Sequence, residues 1–192
     1  MTQSSESLGR VPATSEDVVV RRGRLADLDR VLAIAASLPT AANWPIEAYR
    51  TFCEPEIDGL PQVAKLLLVA CLPKTQEIAG FAAFQVIFAC GECGLENMAV
   101  AENWRRRGIA RRLLAAGQLW CRGWCGAAAT EDPFQAEPGG NLWLEVRVSN
   151  LAAISFYRQA GFVQVGHRTN YYTNPTEDAL QMSKSLSPHG RR

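Results

Sequence analysis

The segment Asn97–Arg112 (NMAVAENWRRRGIARR) limits what this chain can fold into more than any other stretch. An apolar strand ends at Val100, a short polar turn follows, and Arg105-x-x-Gly108-x-Ala110 opens a helix. A helix start carries unsatisfied N–H groups and the positive end of the macrodipole, so the junction suits a phosphate or pyrophosphate. Gly108 and Ala110 keep the backbone bare for close approach. Arg105, Arg106, Arg107, Arg111 and Arg112 add charge that phosphate pairs with. No Gly-Lys-Ser/Thr follows, which excludes a Walker A loop, and the absence of Gly-x-Gly-x-x-Gly excludes a dinucleotide fingerprint. The competing reading is a helix that begins with a solvated charge run.

Periodicity around this junction predicts strands over Val18–Arg22, Lys65–Leu72, Ile78–Phe88, Leu95–Val100, Asn141–Val146, Val163–Arg168 and Ala179–Lys184. It predicts helices over Leu25–Ser37, Ile46–Cys53, Gly108–Trp120 and Leu151–Ala160, the last with Asn150 as N-cap and Gly161 just past its end. That order is an α/β or α+β domain on a mixed sheet. Residues 1–16 and 187–192 read as disordered tails, 17–186 as a single domain, and Gly126–Gly140 as a surface-loop insertion.

With 192 residues, 47% hydrophobic and 20% charged, the chain can bury a core without staples. Twenty basic residues against nineteen acidic ones leave +1, so charge gives no case for a nucleic-acid partner. The longest apolar stretch, Ile78–Cys90, is 13 residues long and holds Gln85, too short to cross a bilayer. No apolar export segment opens the chain, so a cytoplasmic protein away from membranes is expected. The six cysteines then read as reduced thiols. Cys90, Cys93, Cys121 and Cys125 could meet around zinc if the helix runs back along the strand, but the spacing is imperfect. Free thiols and no metal are expected. His167 and His189 are too few and too far apart for a metal site.

The junction together with the downstream half resembles the GCN5-related N-acetyltransferase (GNAT) superfamily, whose signature is Arg/Gln-x-x-Gly-x-Gly/Ala after the strand that pairs with acetyl-CoA. Leu142–Asn150 (LWLEVRVSN), Ala152–Phe162 (AAISFYRQAGF), Asn170–Tyr172 (NYY), Glu177–Ala179 (EDA) and Met182 resemble its RimI branch, the bacterial ribosomal-protein alanine N-acetyltransferases. The resemblance covers roughly Val18 to Leu186 and is specific from Asn97 onward. It implies a mixed, mostly antiparallel central sheet flanked by helices. It also implies transfer of the acetyl group of acetyl-CoA to a protein N-terminus, the N-terminal alanine of a small-subunit ribosomal protein. An alternative within the class is acetylation of a lysine or a small-molecule amine. The implied acetyl-CoA contacts are the strand backbone of Met98, Ala99 and Val100, the turn Arg106, Arg107, Gly108, Ile109, Ala110 and Arg111, and Asn150. The implied proton acceptor is Glu145 and the implied proton donor Tyr157. Two departures are the 126–140 insertion and a longer region around Trp44.

The residue types fit that chemistry on their own terms. Acetyl transfer needs a neutral amine, a stabilised carbonyl oxygen and a proton for the departing thiolate. Glu145 alternates with Leu144 and Val146, so it points away from their face; an ion pair with Arg147 or the helix arginines is its structural alternative. Glu96, on the strand of Met98 and Val100, is a rival base. Tyr157 lies two helical turns after Asn150 and shares its face; it is either a proton donor or a core aromatic. Backbone N–H groups near Ala99–Val100 are candidates for stabilising the carbonyl oxygen. Tyr171 and Tyr172, placed in a polar loop, suit an extended peptide terminus or ordinary loop packing. Trp44 with Pro45 either lines the same entrance or staples a helix start.

Overall fold

The computed structural model describes residues 17–38, 40, 44–54, 62–125 and 140–187. The expected tails, apart from Ser187, and nearly all of the 126–140 insertion lie outside these residues, as does the side chain of Cys125. The strands are β1 (Val19–Arg22), β2 (Val63–Cys71), β3 (Ile78–Ile87), β4 (Glu92–Val100), β5 (Asn141–Arg147), β6 (Val163–Tyr172) and β7 (Glu177–Ser185). The helices are α1 (Leu28–Ala36), α2 (Ile46–Arg50), α3 (Ile109–Cys125) and α4 (Leu151–Gln159). One seven-stranded sheet has the order β1-β2-β3-β4-β5-β7-β6, antiparallel except where β4 meets β5. No described helix is long and apolar enough to cross a membrane.

The central strands explain their own burial. β2 and β3 are near-continuous apolar runs covered on both faces. Alternate residues of a strand point to opposite faces, so Phe81 and Phe84 of β3 diverge. Tyr49 of α2 meets Phe81 edge-on, with ring centroids 5.7 Å apart. Gly117 of α3 sits against the Phe84 ring. The sheet therefore separates α1 and α2 from α3. Lys184 of β7, in register with Leu142, donates to the Ala160 carbonyl at the end of α4 (2.6 Å), which puts α4 on the α3 side.

Several boundaries differ from expectation, each for a local reason. The first helix begins at Leu28 after a 3-10 turn, because the Asp27 carboxylate is taken by the Arg21 guanidinium (2.7 and 2.9 Å) and the Arg24 N–H (2.8 Å). α2 stops at Arg50, and Phe52 instead accepts a backbone bond from Leu67 (3.0 Å). α3 runs on to Cys125. β6 extends to Tyr172, so Tyr171 and Tyr172 end a strand and do not sit in a loop. Its expected end failed because β6 is an edge strand exposed on nearly every residue and carries no alternation to read. Asn150 caps α4 as expected, accepting the Ala153 N–H (3.2 Å), and Gly161 follows with φ +90°.

Two glycines of α3 make an internal comparison. A Cβ at Gly117 would overlap the Phe84 ring, whereas one at Gly123 meets nothing within 4 Å. Gly123→Ala should stabilise the protein by about 0.5–1 kcal/mol through helix propensity. Gly117→Ala should cost about 1–3 kcal/mol from overpacking, despite the same propensity gain. Urea unfolding midpoints of the two variants measure this; a stabilised Gly117→Ala would contradict the packing described.

Candidate active site

β4 and β5 run parallel but pair only at Cys93↔Leu142 and Gly94↔Trp143. β4 continues to Val100 and β5 to Arg147, and the two diverge. The edge of β4 turned away from β3 then has no strand partner over Met98, Ala99 and Val100 among the described residues. Backbone amides at such an edge must be satisfied by something else. An extended ligand carrying its own amides, such as the pantetheine arm of acetyl-CoA, fits an edge of this kind.

A bulge sits where the strands part. Ala83 pairs with Asn97 and Phe84 with Leu95, so Glu96 is an extra residue with no partner in β3. A bulge turns consecutive side chains toward one side. Glu96 accepts from the Gln85 amide (2.6 Å), while Asn97 donates to the buried Tyr49 hydroxyl (2.8 Å). Glu96 and Glu145 each lie two residues past the last β4–β5 pair, so they stand side by side across the opening on the α1–α2 face. Burial pushes the Glu96 carboxyl above the usual carboxylate range, and the neighbouring Glu145 charge adds to it, against the Gln85 hydrogen bond. Glu145 is 31% exposed and accepts from Arg168 (3.3 Å) and Gln181 (3.5 Å). Its ion-pair partner is thus Arg168 of β6, and neither Arg147 nor a helix arginine.

The opposite face carries the other candidates. Tyr157 of α4 is buried between Phe156 and Phe162, and burial pushes its phenol well above the ordinary tyrosine range, with Tyr172 adding to the effect. The turn into α3 takes left-handed backbone at Arg106 (φ +59°) and Gly108 (φ +77°), a conformation that turns N–H groups outward around an anion. Nothing lies within 4 Å of where a Gly108 Cβ would be, so the place is open to a ligand. Arg106 and Arg111 are exposed, but the Arg107 guanidinium lies over the Trp104 ring at 5.0 Å. Ile109 is buried in the core, so only its backbone can meet a phosphate, and Ala110 is half-buried beside it. Asn150 spends its side-chain oxygen on capping α4.

Trp44 packs on Tyr49 (5.2 Å) and Phe52 (5.7 Å), an aromatic group on the α1–α2 face. Tyr171 and Tyr172 meet edge-to-face at 5.0 Å. Burial raises the Tyr171 phenol, the charges of Glu145 and Glu96 raise it further, and Arg168 opposes them. The structure therefore gathers Glu96, Glu145, Tyr171 and Tyr172 at the opening. Sequence reasoning missed Gln85, Gln181 and Arg168 as partners of that group, and offered Arg147 to Glu145 where the structure gives it to Tyr172 and Glu177. Gln85, a lone polar residue inside a nine-tenths apolar strand, was the one readable signal.

Comparison with known proteins agrees with this geometry. The family model described as Acetyltransferase (GNAT) domain matches residues 64–164, just over half of the chain. The [Ribosomal protein bS18]-alanine N-acetyltransferase of Escherichia coli (strain K12) is 35% identical over 118 residues, 60% of this chain and 70% of that protein. The N-alpha-acetyltransferase of Sulfurisphaera tokodaii is 30% identical over 176 residues, covering 87% and 92%. The crystal structure of the ribosomal-protein-S18-alanine N-acetyltransferase from Escherichia coli superposes with a TM-score of 0.63 at 27% identity, covering 91% of this chain and 97% of that one.

The raised Glu96 pKa has a consequence for stability. The folded chain holds that proton more tightly than the unfolded chain, so stability is lost as pH rises through the folded pKa and is unaffected below the ordinary carboxylate range. Glu96→Gln removes this loss. Its melting temperature should exceed that of the wild type at neutral pH, with the gap closing as pH falls below about 4. A gap of constant size across that range would refute the titration of Glu96 as its source.

Proposed function

This chain belongs to the GNAT acetyltransferase family, and within it we propose transfer of the acetyl group of acetyl-CoA to the N-terminal α-amino group of a protein, with the N-terminal alanine of a small-subunit ribosomal protein as the leading acceptor. The observation that supports this reading is the parting of β4 and β5 after Gly94 and Trp143, which leaves the β4 edge over Met98–Val100 without a strand partner among the described residues and sets Glu145 beside it. The names of the relatives from Escherichia coli and Sulfurisphaera tokodaii support an N-terminal amine over a side-chain amine.

Bound acetyl-CoA supplies a thioester carbonyl at the opening. An α-amino group has a pKa of about 7.7–8, so most of it arrives protonated at neutral pH. Glu145 takes that proton, directly or through water, and Glu96 beside it supplies a second carboxylate on the same face. N–H groups of β4 near Ala99–Val100 stabilise the carbonyl oxygen as charge builds. Tyr157 gives its proton to the departing thiolate. The exposed Arg106 and Arg111 and the open turn at Gly108 hold the pyrophosphate. Tyr171 and Trp44 line the path of the acceptor chain.

Incubation with acetyl-CoA and a panel of acceptors, read by mass spectrometry, tests the acceptor class. The panel contains an alanine-initiated peptide, the same peptide with a blocked N-terminus and an internal lysine, and a free polyamine. Acetylation confined to the free N-terminus is expected; turnover of the lysine or the polyamine in its place would move the assignment to that amine. Acetyl-CoA should also raise the melting temperature by linkage, and Gly108→Asp should abolish the shift because it puts bulk and negative charge where phosphate sits.

The two proton carriers predict different kinetics. Tyr157→Phe keeps the ring, so kcat should fall by about 10²–10⁴ with acetyl-CoA affinity unchanged. Glu145→Gln should regain part of its rate above about pH 8–9, where the amine loses its proton unaided. Tyr157→Phe should gain little there. A near-normal kcat for Tyr157→Phe, with chemistry rate-limiting, would make Tyr157 a packing residue only.

A further inference from the structure

The tyrosine pair at the end of β6 rests on two arginines, each paired with a glutamate. Arg168 lies over the Tyr171 ring at 4.3 Å and reaches Glu145; it is half exposed. Arg147 lies over the Tyr172 ring, also at 4.3 Å, and its side chain is only 8% exposed. Its guanidinium donates to the carbonyls of Pro175 (3.2 Å) and Thr173 (3.4 Å) and to the Glu177 carboxylate (3.1 Å). All of these belong to the β6–β7 turn or its edges. The second oxygen of Glu177 accepts the Ser149 N–H (2.7 Å), one residue before the cap of α4. A backbone bond from Val148 to the Asp178 carbonyl (3.2 Å) runs alongside, and the Asp178 carboxylate accepts the Asn170 N–H (2.9 Å), but the Arg147 side chain is the one that reaches both a hairpin ring and the turn carbonyls.

We propose that Arg147 and Glu177 are the positioning pair of the acceptor site. Arg147 holds the end of β6 so that Tyr171 and Tyr172 stand beside Glu145, and Glu177 ties that end to the start of α4, which carries Asn150 and Tyr157. This rests on the reading that the tyrosines contact the acceptor. A planar guanidinium is the group that can lie flat on a ring while its fork spans two carbonyls and a carboxylate; an ammonium has neither geometry. The two residues should therefore be separable. Arg147 acts on the hairpin alone, whereas Glu177 acts on the hairpin and on α4.

The test uses Arg147→Gln, Arg147→Lys and Glu177→Gln in the full chain, with whichever acceptor of the panel the wild type turns over best. Arg147→Gln should raise the acceptor KM about tenfold or more, with kcat changed much less and the acetyl-CoA dissociation constant within about twofold. Arg147→Lys should not rescue it. Glu177→Gln should raise the acceptor KM and also weaken acetyl-CoA. The double variant Arg147→Gln with Glu177→Gln should raise the acceptor KM no more than the larger single effect, because the pair acts as one unit. Amide hydrogen exchange reads the clamp without turnover. Residues 169–178 should exchange faster in Arg147→Gln, while residues 109–125 of α3 stay protected. Unchanged exchange in the hairpin, rescue by lysine, or equal losses in acceptor KM, kcat and acetyl-CoA affinity would each overturn the proposal. Clamp loosening seen by exchange with no effect on the KM of any acceptor would instead refute contact between the tyrosines and the acceptor.

Discussion

Everything at the site depends on β4 and β5 parting after Gly94 and Trp143. Continued parallel pairing would satisfy the strand edges internally and leave nothing for a ligand to bind. The bulge at Glu96 adds twist at that point and turns its carboxylate out of the ladder. Gly94 makes this possible, because the Glu96 carboxylate folds back over the place where a Cβ would stand. The opening is thus built from a glycine, an extra residue and a failed pairing, with no need for a flexible lid.

Two carboxylates side by side repel each other, and in a partly buried place each needs a donor. The sheet supplies them symmetrically. Gln85 from β3 donates to Glu96, and Gln181 from β7 donates to Glu145. Gly166 of β6 leaves room for Gln181 just as Gly94 leaves room for Glu96. Lys65, in register with Gln85, adds a positive charge behind Glu96, and Arg168 adds one beside Glu145. The partners differ: partly buried Glu145 pairs with the half-exposed Arg168, whereas Glu96, also partly buried, accepts from the Gln85 amide.

The order of elements and the donor half of the site were legible in the sequence because local signals carry them. Glycine, arginine and helix-start chemistry around Gly108, the cap at Asn150 and the alternation around Glu145 each sit within one or two turns of chain. What remained hidden is what depends on register. The partner of Glu145 lies 23 residues away on an edge strand, and that of Arg147 lies 30 residues away. No local pattern states which of several arginines crosses which strand. The bulge at Glu96 was hidden for the same reason, since only the pairing with β3 reveals one residue too many. The continuation of β6 from Arg168 to Tyr172 escaped because exposure on both faces erases the alternation that marks a strand.

The sheet also divides what family membership can say from what it cannot. The matched residues 64–164 contain β4, β5, the turn into α3 and α4, the parts proposed to meet the acetyl donor. Trp44, Tyr49 and Phe52 lie before that range, and Arg168, Tyr171, Tyr172 and Glu177 lie after it. Trp44, Tyr49 and Phe52 pack together on the α1–α2 face, and Arg168, stacked on Tyr171, reaches Glu145. One fold can therefore keep the donor chemistry while the flanking elements change which amine is admitted. In this chain both flanking elements are aromatic and one is braced by a buried arginine, so an acceptor bound as proposed meets rigid ring faces beside Glu145. Aromatic faces contribute area and fixed geometry, so under that proposal the acceptor is selected chiefly by how its first residues fit between the rings.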